Sequence, residues 1–120
     1  MPSPCLPKDI VITPHDGRVK VSFADKVIAD TTRALDLDEP GAPLRIYVPR
    51  EDVDETVLAG SATHTTCPYK GEASYFSLES GGSKAKDAAW YYPEPCDLVA
   101  PIRGYVAFWG DAIHYDTQSA

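Results

Sequence analysis

The sequence has little positive charge. Its 11 lysines and arginines are outnumbered by 18 aspartates and glutamates, which leaves a formal net charge of −7. Nucleic-acid-binding proteins usually carry a basic face, because neutralising phosphates supplies much of their affinity. The composition therefore predicts no nucleic-acid partner, and the surplus of acidic groups is typical of a soluble protein.

Long apolar stretches are also missing. No run approaches the roughly 20 apolar residues that a membrane-spanning helix needs, so we expect no membrane partner. The first seven residues, MPSPCLP, contain three prolines but neither the basic start nor the apolar centre of a signal peptide. They predict a disordered arm over residues 1–7 of a cytoplasmic protein.

Cysteine is scarce: Cys5, Cys67 and Cys96 are far apart in the sequence, and no Cys-x-x-Cys occurs. An odd number of cysteines without an export signal favours reduced thiols in the cytosol. The absence of Cys-x-x-Cys argues against a structural zinc site. Glycine-rich phosphate-binding loops are absent as well, so the sequence predicts no metal and no cofactor.

Turn-forming residues and tyrosines are plentiful instead, with 11 prolines and 7 tyrosines in 120 residues. This composition favours short strands joined by turns, in a single domain. Alternating apolar residues predict strands within residues 10–12, 18–31 (a hairpin), 34–38, 44–48, 72–78, 84–92 and 104–109. We expect a mostly β domain of short antiparallel strands over residues 8–113, one or two short helices (the first over 50–58), a loop over 59–68 and a frayed tail over 114–120.

The densest group of reactive side chains lies between Thr63 and Tyr75. Cys67 has His64 three residues before it and Lys70 three residues after it, and Glu72 follows. A cysteine nucleophile needs a nearby base or cation, so this spacing predicts Cys67 as nucleophile or redox thiol and His64 as its base. The alternative is that Cys67 is a small buried side chain beside a turn.

Two further groups are candidates for ligand contacts. Arg50 precedes Glu51 and Asp52, which is either ordinary helix-start chemistry or an arginine placed to grip a carboxylate or phosphate. Aromatic residues are concentrated near the C-terminus, where Trp90 belongs either to the core or to the wall of a small-molecule pocket.

Five stretches resemble a known family: ADTTRAL (29–35), YVPREDV (47–53), THTTCPYKGEASYF (63–76), AAWYY (88–92) and GYVAF (104–108). On these motifs the chain resembles the domain of unknown function 427 family. The resemblance implies a fold similar to the β-tent domains, which include methionine sulfoxide reductase type B and the ligand-binding domain of cereblon. The zinc of those relatives does not carry over, because their two Cys-x-x-Cys pairs are absent here. The matching motif residues are Arg33, Arg50, Glu51, Asp52, His64, Cys67, Tyr69, Lys70, Gly71, Tyr75 and Trp90.

Three functions follow as hypotheses. The first is a small-molecule or enzymatic pocket for a small anionic ligand, with Cys67 and His64 catalytic and Arg33, Arg50, Tyr69, Lys70, Glu72, Tyr75 and Trp90 binding the ligand. The second is a non-catalytic module that binds a ligand or a protein. The third, nucleotide handling, is implied only by a nucleotidyltransferase-like label of the family, and no Gly-Ser with paired aspartates supports it here. A homodimer is a further possibility that the sequence leaves open.

Overall fold

The computed structural model describes residues 5–118, and within them the chain forms ten strands and three short 3₁₀ helices. The strands are β1 (Val11–Pro14), β2 (Arg18–Phe23), β3 (Lys26–Thr31), β4 (Leu35–Asp38), β5 (Arg45–Pro49), β6 (Leu58–Cys67), β7 (Gly71–Ser80), β8 (Ser83–Tyr91), β9 (Tyr105–Phe108) and β10 (Ile113–Gln118). The 3₁₀ helices are Arg50–Asp52, Glu55–Val57 and Asp97–Ile102. The expected mostly β fold is confirmed.

The strands form two antiparallel sheets. The larger sheet has the order β1-β4-β5-β9-β8-β7-β6, and the smaller has the order β10-β2-β3. Side chains alternate between the two faces of a strand, so each face of the larger sheet collects every second residue. One face of the larger sheet packs on the smaller sheet, and the opposite face carries the site described below.

The main core lies between the two sheets. Val19, Val21 and Phe23 alternate along β2 and pack with Val48 of β5 and Phe108 of β9, all of them at most 2% exposed. Burying such side chains contributes roughly 1.5–3 kcal/mol each. This core holds the smaller sheet in place and does not include the opposite face of the larger sheet.

A second apolar cluster covers part of that opposite face. Tyr47 of β5 and Ala107 of β9 are buried against Val99 and Ile102 of the third 3₁₀ helix and against Ile10 before β1. The cover is therefore built by the segment around residues 97–102 and by the N-terminal residues. Beyond this cover the aromatic side chains of the sheet line an open groove.

The sequence predicted several elements correctly and others wrongly. The hairpin over 18–31 is confirmed as β2 and β3. The expected loop over 59–68 is wrong, because Leu58–Cys67 forms β6 and pairs with β7. The expected helix over 50–58 is two separate 3₁₀ turns. At the C-terminus Ile113–Gln118 pairs with β2 as β10, where a frayed tail was expected from residue 114.

The cysteines also differ from expectation. Cys5 and Cys96 form a disulfide, with Cα atoms 5.9 Å apart, within the normal range for such a bond. Cys67 is the free cysteine of the described residues. The expectation of three reduced thiols is therefore wrong, and the cytoplasmic location inferred from it stays a prediction without that support. Of the predicted arm over 1–7, residues 1–4 lie outside the described residues.

Candidate binding groove

The two residues predicted to act as a catalytic pair, His64 and Cys67, both lie in β6. His64, Thr65, Thr66 and Cys67 face Ser74, Ala73, Glu72 and Gly71 of β7 in unbroken register. Because side chains alternate along a strand, a separation of three residues sends two side chains to opposite faces. His64 and Cys67 therefore lie on different faces of the larger sheet, and the geometry does not make His64 the base of Cys67. Their catalytic roles stay predictions.

The surroundings of His64 agree with this placement. Its Nδ1 lies 3.2 Å from Ser74 Oγ and 3.9 Å from a carboxylate oxygen of Glu72. Both His64 and Glu72 are mostly exposed, with side chains 52% and 68% accessible. They form a surface group on the face away from the groove, so neither lines it.

Cys67 is half-buried and packs at the edge of the second apolar cluster, as does Tyr69 in the following turn. The ammonium of Lys8 lies 4.5 Å from the centre of the Tyr69 ring. Tyr69 is thereby held under the N-terminal segment and does not line the groove. The turn places Lys70 differently, with its side chain at the groove wall.

The groove is a cavity of about 360 Å³ on the face of the larger sheet that points away from the smaller sheet. Its volume lies within the range typical of small-molecule sites. Among the residues predicted to bind a ligand, it brings together Lys70, Tyr75 and Trp90. The other lining residues are Glu39, Ala42, Pro43, Arg45, Tyr47, Asp87, Tyr92 and Trp109. Five aromatic side chains therefore surround a few charged groups.

The guanidinium of Arg45 lies between two tryptophans of the groove. Its Cζ atom is 4.1 Å from the ring centre of Trp109 and 5.6 Å from that of Trp90. Within residues 5–118 its Nη1 atom is buried without a hydrogen-bond partner, and no ion pair involves Arg45. A buried donor without a partner costs roughly 1–3 kcal/mol, so the fold holds this guanidinium in the groove wall at a cost to its stability.

The Trp90 ring is held by a residue of β5, the strand that also carries Arg45. The indole Nε1 of Trp90 donates a hydrogen bond of 3.1 Å to the phenol oxygen of Tyr47. Burial raises the pKa of Tyr47 to about 12, so the phenol stays neutral. The pKa of Tyr92, which also lines the groove, is raised by burial as well. The groove thus has a floor of neutral aromatic side chains.

The lysine of the groove has a partner. Lys70 donates a hydrogen bond to Glu39 Oε1, and Lys8 donates one of 2.8 Å to Glu39 Oε2. Burial alone would raise the pKa of Glu39, but the two ammonium groups outweigh burial and hold that pKa below its ordinary value. Glu39 therefore offsets one of the two ammonium charges at this wall, and Arg45 adds a positive charge that has no carboxylate partner among the described residues.

The two predicted arginines lie elsewhere. Arg33 and Arg50 line a different groove, of about 440 Å³, together with Arg103. Arg50 lies 4.7 Å from the ring centre of Phe76, whose side chain leaves β7 on the face opposite to Tyr75. The structure therefore does not bring these arginines together with Lys70 in one site, and their ligand contacts stay predictions.

Carboxylates balance the charge of that second groove. Arg33 donates hydrogen bonds to Glu51 at 2.6 Å and Asp52 at 3.2 Å, and Arg50 pairs with Glu55 at 3.2 Å. The Nε atom of Arg50 is buried without a partner within residues 5–118, but its guanidinium already has a carboxylate. This groove is therefore a weaker candidate for an anion.

Arg45 and Asp87 were not among the residues predicted from the sequence. Arg45 stands between Leu44 and Ile46 in a strand and is not part of a polar cluster, and its contacts come from residues 45 and 64 positions later. The feature of the sequence that could have indicated Arg45 is its charge, because it stands between two apolar residues of a predicted strand. Asp87 gave a similar signal just before the apolar segment 88–92.

None of the helices within residues 5–118 is long and apolar enough to cross a membrane. In the same part of the chain, no three His, Cys, Asp or Glu side chains come together as a metal site would require.

Comparison with models of protein families gives a match. The model of a family described as "Domain of unknown function (DUF427)" matches residues 11–118, which include all ten strands. No curated protein matches the chain.

Proposed function

The chain belongs to the DUF427 family, and we propose that it binds a small anion carrying a planar ring in the aromatic groove. The observation that carries the proposal is the guanidinium of Arg45, held between Trp90 and Trp109 with Nη1 buried and unpartnered among the described residues. Guanidinium groups bind carboxylates and phosphates through paired, charge-assisted hydrogen bonds. A ligand oxygen at Nη1 would remove the cost of that buried donor.

The aromatic side chains of the groove are the reason for proposing a planar ring in the ligand. Tyr47, Tyr75, Trp90, Tyr92 and Trp109 are five of the eleven residues that line the groove. Aromatic rings pack well on one another, and such pairs contribute about 0.5–1.5 kcal/mol beyond burial of area. Trp109 is 59% exposed, so a ring that covers it also removes apolar surface from water. A ligand with both an acid and a ring uses all of these features.

Binding by isothermal titration calorimetry tests the proposal. Four probes separate ring from charge: indole-3-propionate, uridine monophosphate, propionate (an acid without a ring) and indole (a ring without an acid). We expect the two ring-bearing anions to bind, and propionate and indole to bind at least about tenfold more weakly. Preference for the nucleotide over the carboxylate would instead support nucleotide handling.

Two variants locate the binding. Arg45→Gln removes the proposed anion partner and should weaken binding of the ring-bearing anions about tenfold or more. The matched control is Arg18→Gln in the smaller sheet, where Arg18 is 48% exposed and paired with Asp30. The proposal is overturned if no ring-bearing anion binds, or if Arg45→Gln and Arg18→Gln bind equally well.

A further inference from the structure

Two β-bulges meet at the rim of the groove. Gly60 and His64 of β6 face Phe76 and Ser74 of β7, so β6 contains two extra residues between these pairs. On the other side of β7, the pairing shifts between Phe76 and Leu78, and the extra residues lie in β8 before Ala89. Bulges of this kind often occur beside functional sites, where they redirect side chains.

The bulge of β8 positions Asp87 over β7. The backbone N–H of Asp87 donates a hydrogen bond of 3.0 Å to Ser77 Oγ. Its two carboxylate oxygens accept hydrogen bonds of 2.5 and 2.7 Å from Ser61 and Thr63 in the bulge of β6. Asp87 also has a φ of +53°, a left-handed conformation that residues other than glycine adopt infrequently. Three strands thus hold one carboxylate in a fixed position.

This carboxylate is charged and faces the groove. The hydroxyl hydrogen bonds from Ser61 and Thr63 hold the pKa of Asp87 below its ordinary value. No ion pair of Asp87 occurs within the described residues, although it lines the same cavity as Arg45. A carboxylate can accept about four hydrogen bonds, and two of these positions stay open.

We infer that Asp87 recognises a protonated amine or N–H group of the ligand, so that the groove takes a zwitterionic ring compound with its acid on Arg45. The inference rests on the proposed function and specifies its ligand class. Among the described residues that line the cavity, Arg45 is then the cation and Asp87 the anion without an ion pair, and a ligand with both charges matches both. A simple anion can pair with Arg45, but it leaves Asp87 without a partner and adds a second negative charge to the cavity.

The test compares two ligands that differ by one amine. Tryptophan and indole-3-propionate share the indole ring, the chain length and the acid, and tryptophan alone has the ammonium group. Calorimetric titration of the wild-type chain should show tryptophan binding about tenfold more tightly than indole-3-propionate. This ratio needs no variant, so it is informative whatever a substitution does to folding.

Two variants then test whether Asp87 causes the preference for tryptophan. Asp87→Asn keeps the shape and tolerates the left-handed backbone, but it removes the charge, and it should bring the two affinities within about twofold of each other. The control is Asp25→Asn in the turn between β2 and β3, an exposed aspartate with a φ of +62°, and it should keep the wild-type preference.

The outcomes separate this inference from the proposed function. Equal affinities of tryptophan and indole-3-propionate for the wild type, or a preference that survives Asp87→Asn, would overturn the role of Asp87 while leaving the Arg45 site intact. Failure of both indole acids to bind would overturn the proposed function and this inference together.

Discussion

The indole of Trp90 donates a hydrogen bond to the phenol oxygen of Tyr47 across 3.1 Å, at the floor of the aromatic groove. Tyr47 is 1% exposed, and its phenol oxygen accepts the hydrogen bond of the indole nitrogen. This contact fixes one edge of the Trp90 ring, and Arg45 lies over that ring. The geometry of the groove therefore depends on a neutral pair that does not titrate in the ordinary assay range.

Replacing Tyr47 by phenylalanine should lower stability and loosen the groove. The variant leaves the indole N–H of Trp90 without its acceptor, which should cost roughly 1–3 kcal/mol. Urea denaturation measures the loss, and tryptophan fluorescence reports on the ring environment. Equal stability of Tyr47→Phe and wild type between pH 6 and pH 8 would show that the hydrogen bond contributes nothing, because the pKa of about 12 keeps Tyr47 neutral there.

Arg45 should show a trade-off between stability and binding. Arg45→Met keeps an unbranched stem against Trp90 and Trp109 and removes a buried donor that lacks a partner among the described residues. Removing such a donor gains roughly 1–3 kcal/mol, while losing the cation–π contacts costs about 0.5–1 kcal/mol.

We therefore expect Arg45→Met to unfold at a higher urea concentration than wild type and to lose affinity for ring-bearing anions. Arg18→Gln serves again as the control and should change neither property by much, since exposed ion pairs contribute little. A clear loss of stability in Arg45→Met would contradict the view that this arginine is kept for a ligand.

Glu39 should make the groove wall sensitive to acid. It is 13% exposed and joins Lys8 and Lys70, so Glu39→Gln should cost roughly 1–3 kcal/mol at pH 7. Because the pKa of Glu39 in the folded chain lies below its ordinary 4.5, its contribution is complete above that pH and is lost as the pH falls through the folded pKa.

The stability of Glu39→Gln and wild type should thus converge as the pH falls well below 4.5. Denaturation in urea at pH 7 and pH 3 measures this. Glu79→Gln is the control, because Glu79 is half exposed and its partner Lys84 is 75% exposed. A gap between Glu39→Gln and wild type that is as large at pH 3 as at pH 7 would contradict the assigned ion pair.

The separation of His64 from Cys67 predicts independent chemistry. If the two side chains lie on opposite faces of β6, then His64→Ala should leave the rate of Cys67 alkylation unchanged at every pH. Timed reaction with iodoacetamide followed by mass spectrometry measures that rate. A marked slowing in His64→Ala near pH 7 would restore the catalytic pair. Ser74→Ala, which removes the neighbour of His64, provides the matched control.

Sequence patterns predicted the strands that bury one face. Val19, Val21 and Phe23 alternate with polar residues because one side of β2 meets the main core. β6 escaped detection because its residues are half-buried or exposed along its whole length, so no apolar alternation marks it. Its place in the sheet is set by pairing with β7 and by the bonds of Ser61 and Thr63 to Asp87.

The site was only partly predictable for a related reason. Lys70, Tyr75 and Trp90 lie in motifs that the sequence displays, and the groove contains all three. Arg33 and Arg50 lie in equally distinctive motifs, yet Arg50 packs against Phe76, whose side chain leaves β7 on the other face. Which motif shares a face with which depends on register across the sheet, and local sequence does not specify that register.

The disulfide between Cys5 and Cys96 has a consequence beyond the groove. The two residues are 91 positions apart, so the bond closes most of the chain into a ring. By the loop-entropy estimate, ring closure of that size disfavours the unfolded ensemble by about 4–5 kcal/mol. A reductant that cleaves this bond therefore lowers the free energy of unfolding. The stability of the fold thus varies with the thiol–disulfide potential of its surroundings.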